Sequence, residues 1–282
     1  MPSGTVAGRK VWSEEMRKWR SAAARRICQL AGVKSVELAV VEIGHRLTEG
    51  LQLPPTDLHA ILPRVDVSSC NSDPELLISG ELRKGEDGLE IVYSESQSRQ
   101  RQRFTIAHEI GHAVFERTGQ HCPRRGGELE RICDMIASEI LAPREAIISN
   151  VRLPVQMAEI SRLSKLFDVS VTAMAIRCAG IFELTTFQEE FGELDWIVSQ
   201  RLSGHRLSRR QVIEVLKTRD DSCPAPKLVQ VETSNRVLRD YLIESLSTGQ
   251  NRNLFILTPL REQPPTDLDS NTIAGTSGIP DV

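Results

Sequence analysis

Apolar residues follow helical spacing over the stretch of chain that ends at His112. Three of them share one stripe of a predicted helix, namely Ile106, Ile110 and Ala113. An α-helix turns by about 100° per residue, so His108 and His112 lie on one face, roughly opposite that stripe. The pattern therefore predicts a helix with one side in the core and its histidine side on a cleft. Gly111, between the histidines, would let another backbone pass closely.

A second helix is predicted from Glu128 to Ala142. It follows a loop rich in turn residues, and Pro143, which cannot continue a helix, ends it. One stripe of this helix combines two acidic residues with two apolar residues: Glu130, Asp134, Ala137 and Leu141. The two helices together are expected to present histidines and carboxylates to one another.

Further elements are predicted on both sides of this helix pair. Upstream, Gly88 to Tyr93 predicts a strand beside the histidine helix, at a sheet edge that an extended peptide could join. Downstream, Leu163 to Arg177 predicts two helices, with Ser170 as the N-cap of the second. These two mimic a helix-turn-helix, but the second is apolar and Arg177 alone could reach a phosphate. A helix pair that closes the core is therefore favoured over a DNA contact.

Basic residues accumulate between Arg9 and Lys34. Within this region apolar residues recur at intervals of three and four: Trp12, Met16, Trp19, Ala23 and Ile27. The pattern predicts an amphipathic helix after a Ser13 cap. A helix docked on the core is favoured over a contact with nucleic acid or an acidic partner, because a cationic helix face is usually only solvated.

Beyond residue 181 the sequence predicts a small α/β region. Strands are expected at Leu194–Val198, Lys227–Glu232 and Asn253–Thr258. Ser208 to Gln211 has the form of a capping box that begins a short helix, and Ser234 is expected to cap a helix from Asn235 to Leu246. From Glu262 onward there is little to bury, so disorder is expected.

The composition is that of an ordinary soluble globular protein, with 282 residues of which 40% are hydrophobic and 26% charged. No run approaches the roughly 18 apolar residues of a membrane span, and the start lacks the apolar core of a secretory signal. A cytoplasmic protein without membrane association is therefore expected. The formal net charge of −3 gives no sign of polyanion binding, so direct nucleic-acid binding is not expected. The predicted organisation is a basic helical extension, a catalytic domain, an accessory region and a tail, over residues 1–36, 37–180, 181–261 and 262–282.

The segment from His108 to His112 carries the candidate chemistry. Two imidazoles one helical turn apart can hold one zinc ion. Glu109 lies too far around the helix to be a comfortable third ligand, but it is well placed as general base for a water on that ion. A catalytic zinc site takes three protein ligands, and Glu130 is the predicted third, with one zinc ion per chain, although manganese or iron suits the same ligands. Asp134 is predicted to accept the remaining N–H of a ligating histidine.

Peptide hydrolysis also needs a group that stabilises the developing oxyanion. The sequence offers Tyr93, His121 and Arg103 as oxyanion or substrate contacts and does not choose among them. The six cysteines are scattered without a CxxC pair, which favours reduced thiols over a disulfide framework. Cys133 lies off the Glu130 stripe and is predicted to be a small buried apolar residue.

Arg101 to His112 and Glu130 to Pro143 resemble the ImmA/IrrE family of metallopeptidases. The resemblance covers about residues 37 to 180, and the metal-site motifs are its specific part. It implies an α+β, zincin-like core in which a small twisted sheet packs on helices, followed here by a small C-terminal α/β appendage. Against the family pattern, the metal ligands match His108, His112 and Glu130, and the catalytic glutamate matches Glu109.

The chain departs from the family pattern on the second helix. Cys133 and Asp134 stand where Ala-Asn is expected, and Ile136 stands where Phe is expected. Asp134 is closer to the thermolysin-like pattern Glu-x-x-x-Asp, so the departure leaves the zinc site intact.

Family members commonly act on helix-turn-helix repressors. The resemblance thus implies a zinc-dependent metallo-endopeptidase that makes limited cleavages in a regulatory protein such as a helix-turn-helix repressor. The alternative is a non-proteolytic, metal-containing regulator that binds a repressor or DNA without cutting it. An intact Glu109 argues against that alternative.

Overall fold

The computed structural model describes residues 19–116, 126–199, 207–217, 226–232 and 238–260. Several predictions concern residues outside these ranges: the Ser13 cap and the start of the basic helix, His121, the Ser234 cap, and the tail from residue 262. Within the described part the fold is α+β, with helices and two separate sheets. None of the described helices is long and apolar enough to cross a membrane.

Seven helices and a three-stranded sheet form the larger part of the molecule. The helices are α1 (Ala22–Ala31), α2 (Val36–Thr48), α3 (Arg99–Glu116), α4 (Gly127–Leu141), α5 (Arg144–Asn150), α6 (Met157–Phe167) and α7 (Val171–Ala179). The strands are β1 (Val67–Asp73), β2 (Gly80–Gly85) and β3 (Gly88–Ser94). A short 3-10 turn at Leu62–Val65 precedes β1.

Serine N-caps begin three of these helices. Ser21, Ser35 and Ser170 each accept a hydrogen bond from the backbone N–H three residues later, at the beginnings of α1, α2 and α7. The predicted Ser170 cap is thus confirmed. The helix pair α6 and α7 packs in the main core as predicted, with Phe167 and Met174 fully buried.

The three-stranded sheet has β3 at its centre. β3 pairs in parallel with β1 and antiparallel with β2, so that Tyr93 lies opposite Ser72 on one side and Gly80 on the other. The prediction of a strand over Gly88 to Tyr93 is confirmed, but its placement at a sheet edge is wrong. The alternation of residues within a segment predicts that the segment is a strand. The position of that strand in the sheet depends on partners that are distant in sequence. The outer strand next to α3 is β2.

α3 is enclosed on almost all sides. From Thr105 to Phe115 every residue is buried except His108, which is half-buried. The sheet and α4 cover most of the helix, and over this stretch only His108, on the histidine side, keeps part of its surface exposed. As predicted, Gly111 lets another backbone, that of α4, pass closely. A Cβ at this position would lie 3.0 Å from Cys133 Cα. Cys133 is itself fully buried, as predicted.

A five-stranded antiparallel sheet and one helix form the C-terminal part. These elements are β4 (Thr185–Glu190), β5 (Glu193–Ser199), α8 (Arg209–Lys217), β6 (Lys227–Glu232), β7 (Leu238–Gly249) and β8 (Arg252–Pro259), and the strand order is β5-β4-β8-β7-β6. One face of the sheet joins the main core through Leu254 and Ile256, and the other packs with α8 around the stacked rings of Phe187 and Phe255. Glu244 accepts a hydrogen bond from the Met157 backbone N–H at 3.2 Å, which fastens the sheet to the beginning of α6.

The three strands predicted in this region are confirmed as β5, β6 and β8. The capping box is also present, since Ser208 N–H donates to the Gln211 side chain at 2.7 Å. The helix predicted from Asn235 to Leu246 is wrong, because Leu238 to Gly249 forms strand β7. Tyr241 and Ile243 point into the smaller core, and β6 and β8 satisfy the backbone on both sides. Those pairings outweigh local spacing that also suited a helix.

Candidate metal centre

Three side chains from two helices converge at one point. His108 and His112 project from α3, and Glu130 projects from the first turns of α4. The two histidine Nε2 atoms are 3.2 Å apart, and Glu130 Oε2 lies 3.2 Å from His108 Nε2 and 3.5 Å from His112 Nε2. The structure thus brings together the three residues that the sequence predicted as metal ligands.

The spacing of these three atoms suits a tetrahedral metal ion. With zinc–ligand bonds of about 2.0–2.1 Å, the edges of a tetrahedron are about 3.3 Å long, close to the three distances observed. The chemistry of the donors agrees with the spacing. Nitrogen and carboxylate lone pairs this close together need a metal cation or a proton between them. The arrangement therefore fits a divalent cation bound by two imidazoles and one carboxylate.

Asp134 orients the first histidine. Its Oδ1 lies 2.9 Å from His108 Nδ1, so a proton on Nδ1 is donated to the carboxylate and Nε2 keeps its lone pair toward Glu130. Burial lowers the pKa of His108. The hydrogen bond with Asp134 and the negative charges of Asp134, Glu109 and Glu130 raise the pKa by more, so it lies above its ordinary value. The same charges that favour a proton on the imidazole favour a metal ion beside it.

Glu109 lies next to the triad in a dry environment. Its residue exposure is 6%, and it follows His108 directly on α3. Its negative charge is one of those that raise the pKa of His108. The centre is more open on the side of α4, where the side chains of Glu130 and Asp134 are each 40% exposed. A water or substrate group would approach the triad from that side.

Residues 78–179 match the family model described as Peptidase_M78, IrrE N-terminal-like domain. This segment is similar to the IrrE N-terminal-like domain of that family. The matched segment includes all three donors of the triad, Glu109 and Asp134. The family match indicates a metallopeptidase type of function.

Two other comparisons add less. Among solved structures, a Mycobacterium tuberculosis transcriptional regulator aligns with a TM-score of 0.49 and 10% sequence identity, covering 84% of this chain and 92% of that chain. A similarity of that degree carries no conclusion about fold or function. No curated protein matches the chain in sequence.

The three residues predicted as oxyanion or substrate contacts do not lie together in one described place. Arg103 has partners inside the protein: it donates to the Thr56 carbonyl at 3.0 Å and forms an ion pair with Asp168 at 3.4 Å. Tyr93 lies on the central strand, where burial raises the pKa of its hydroxyl although a hydrogen bond with Ser72 lowers it. His121 lies outside the described residues, so its role stays a prediction.

Three ion pairs that sequence reasoning missed fasten α6 and α7 to the metal helices. At the turn between them Asp168, with a φ of 53°, pairs with Arg99 of α3 at 2.8 Å as well as with Arg103. On α7, Arg177 pairs with the buried Glu139 of α4, which also accepts the Arg144 backbone N–H at 2.9 Å. No local spacing signals these contacts, because the partners lie far apart along the chain.

Arg177 therefore has a structural role. Its Nε also donates to the Ala142 carbonyl at 2.9 Å, at the end of α4. The guanidinium that sequence reasoning left as the one possible phosphate contact of this helix pair is thus occupied inside the protein. This arrangement supports the interpretation of α6 and α7 as a core element.

Proposed function

We propose that this chain is a zinc-dependent metallo-endopeptidase with a zincin-like core. The observation that carries the proposal is the convergence of His108, His112 and Glu130 at tetrahedral spacing, with Glu109 beside them, inside an IrrE-like domain. Each of these residue types has a distinct chemical task in peptide hydrolysis, and the combination is the minimum that such a reaction requires.

The roles of the side chains follow from their positions. His108, His112 and Glu130 would hold the ion, and Asp134 would keep His108 in the tautomer that offers Nε2. When bound, zinc supplies Lewis-acid chemistry, which lowers the pKa of water toward neutrality and polarises a carbonyl. Glu109 would accept a proton from the attacking water as the C–O bond forms, and would pass that proton to the departing amine as the C–N bond then breaks.

An extended substrate has a sheet edge available beside this centre. β2 is an outer strand of its sheet, and its first residue, Gly80, lies against Thr105 of α3. The backbone groups on the outer side of β2 can pair with an extended peptide, which would place the peptide along the metal helix. The sequence predicted that β3 would pair with the substrate. Because β3 is the central strand, we assign that pairing to β2.

The substrate we propose is a regulatory protein such as a helix-turn-helix repressor. This part of the proposal rests on the family resemblance and not on a feature of the site. Limited cleavage suits a centre in which the metal helix is enclosed by a sheet and a second helix, because only a locally extended segment could enter.

The test begins with metal content, measured by elemental mass spectrometry on the purified wild type and on Glu130→Ala. We expect about one zinc ion per wild-type chain and a clear loss in the variant. Glu128→Gln is the matched control: it alters a glutamate on the same helix whose carboxylate accepts the Ser21 backbone N–H at 3.0 Å, outside the triad. It should retain zinc.

The second measurement concerns cleavage. We expect the wild type to cut members of a proteome-derived peptide library, as detected by mass spectrometry, and Glu109→Gln to retain zinc while cutting none. Cleavage by Glu109→Gln at the wild-type rate would remove the proposed mechanism. A wild type that binds no metal would favour a protein- or DNA-binding regulator instead.

A further inference from the structure

A row of side chains leads from the two histidines toward the beginning of α3. The rings of His112 and His108 have centroids 4.9 Å apart, and the next centroid, that of Phe104, is 6.3 Å from His108. The guanidinium carbon of Arg101 lies 5.7 Å from the Phe104 centroid. Exposure rises along the row, from buried His112 through half-buried His108 and Phe104 to exposed Arg101. The metal centre therefore opens toward the beginning of α3.

Two elements flank this row. On one side β2 lies against α3, since a Cβ added at Gly80 would overlap Thr105 Cγ2. On the other side α4 lies against Gly111, where an added Cβ would be 3.0 Å from Cys133 Cα. With a rotation of about 100° per residue, His108 points midway between these two directions, about 60° from each. The row therefore lies between β2 and α4, and we call the space over it the cleft.

Exposed apolar side chains precede β2, and the outer end of the row carries a positive charge. Leu77 and Ile78, just before β2, are 101% and 52% exposed, which is unusual for large apolar side chains so close together. No ion pair of Arg101 occurs within the described residues, whereas Arg99, around the helix from the cleft, pairs with Asp168. The guanidinium of Arg101 lies near the Phe104 ring, where a cation–π contact favours it.

We propose that Phe104 and Arg101 form a substrate subsite that determines cleavage specificity. It accepts an extended peptide segment with an apolar side chain about two residues from the scissile bond and an acidic side chain about two residues further on. The spacing follows from the row: an extended chain advances about 3.4 Å per residue, so each step of about 6 Å corresponds to two residues. This inference rests on the proposed peptidase function and adds the class of sequence that the peptidase selects.

The chemistry of the row explains this selection. The half-buried ring of Phe104 offers a flat apolar surface on which an aliphatic or aromatic side chain loses contact with water. Beyond it, Arg101 can pair with a carboxylate through two parallel N–H donors. Side chains two residues apart point to the same side of an extended chain, so one peptide can satisfy both contacts.

The experiment compares cleavage profiles of zinc-loaded wild type and variants on a proteome-derived peptide library, read by mass spectrometry. We expect wild-type sites to be enriched in acidic residues about four positions from the cleaved bond. Arg101→Glu should reduce cleavage of those peptides by about three- to fivefold and favour basic residues at that position. Arg99→Glu is the matched control, because it makes the same charge change outside the cleft. It also breaks the ion pair with Asp168, so its zinc content and unfolding midpoint are measured too, and its cleavage profile should be unchanged.

Phe104 is tested by Phe104→Ala and by the milder Phe104→Leu. For peptides with an apolar residue near the scissile bond, kcat/KM should fall by about tenfold in Phe104→Ala, mainly through KM, and by less in Phe104→Leu. An unchanged zinc content and unfolding midpoint in Phe104→Leu separates loss of the subsite from loss of the fold.

Peptide affinity gives a readout that does not depend on turnover. In a Glu109→Gln background, fluorescence anisotropy of the best-cleaved peptide should show weaker binding with Arg101→Glu added and unchanged binding with Arg99→Glu added. An identical profile and affinity for the Arg101→Glu and Arg99→Glu variants would overturn the subsite while leaving the peptidase intact. A wild type that cleaves no peptide would overturn the proposed function and the subsite together.

Discussion

The two metal helices approach each other closely at Gly111, and a side chain added there should disturb the metal centre more than the fold. In Gly111→Ala the new methyl would lie 3.0 Å from Cys133 Cα, 3.1 Å from its Cβ and 3.3 Å from its carbonyl oxygen. Ordinary contacts between carbon atoms are about 3.5–4.0 Å, so the neighbouring atoms must give way by a few tenths of an ångström. No rotamer change relieves the contact, because two of the three atoms belong to the backbone. α4 must move.

The expected loss of stability is small. Overpacking costs about 1–3 kcal/mol, and alanine in place of a helical glycine returns about 1 kcal/mol, which leaves a net loss of about 0–2 kcal/mol. The effect on the metal is larger, because Glu130 and Asp134 lie on the turns of α4 around Cys133 and move with it. Metal–ligand distances tolerate only about 0.2 Å. We expect zinc affinity to fall by at least about tenfold, or about 1.4 kcal/mol.

The assay is a zinc competition titration against a chelator, together with thermal unfolding of the metal-free protein. Gly127→Ala is the control: it lies on the same helix, but no atom is within 4 Å of its added Cβ, so zinc affinity should not change. If the zinc affinity of Gly111→Ala were within threefold of that of the wild type, the close packing of α3 and α4 at this position would not determine the spacing of the ligands.

Two further predictions concern carboxylates around the core. Asp134→Ala should lower zinc affinity by about 10–100-fold, because His108 Nδ1 loses the acceptor 2.9 Å away. In the same titration, the zinc affinity of Asp134→Asn should lie between those of Asp134→Ala and the wild type. Burial raises the pKa of Glu244, although the hydrogen bond from Met157 N–H lowers it. A carboxyl whose pKa is raised by folding contributes stability at low pH and loses that contribution as pH rises through the folded-state pKa. Glu244→Gln should therefore unfold at a higher temperature than the wild type at pH 7, with the difference shrinking near about pH 4, and a lower midpoint at pH 7 would contradict this reasoning.

Residue spacing was sufficient to predict an element when the residues that define it lie within that same element. His108, His112 and the acids of α4 could be placed on facing helices because each set repeats with the period of one helix. The serine cap at Ser170 and the capping box at Ser208 were likewise visible, since a cap involves residues only three apart.

The same reasoning failed where the decisive partner is remote. The stretch from Leu238 to Leu246 has apolar residues at spacings that suit a helix and also at alternate positions. Pairing with β6 and β8 decided in favour of a strand. In a similar way, β1 and β2 enclose β3 and exclude it from the role of substrate edge.

The sequence by itself determined the donor types, their helical spacing and the family of the domain, because these are properties of short segments. Tertiary structure alone decided that Glu130 lies 3.2 Å from His108, that Arg103 is occupied by Thr56 and Asp168, and that Phe104 extends the histidine row into a cleft. The physical reason is that these distances depend on how closely α3, α4 and the sheet pack. Close packing is a property of contacts between segments, which no single segment encodes.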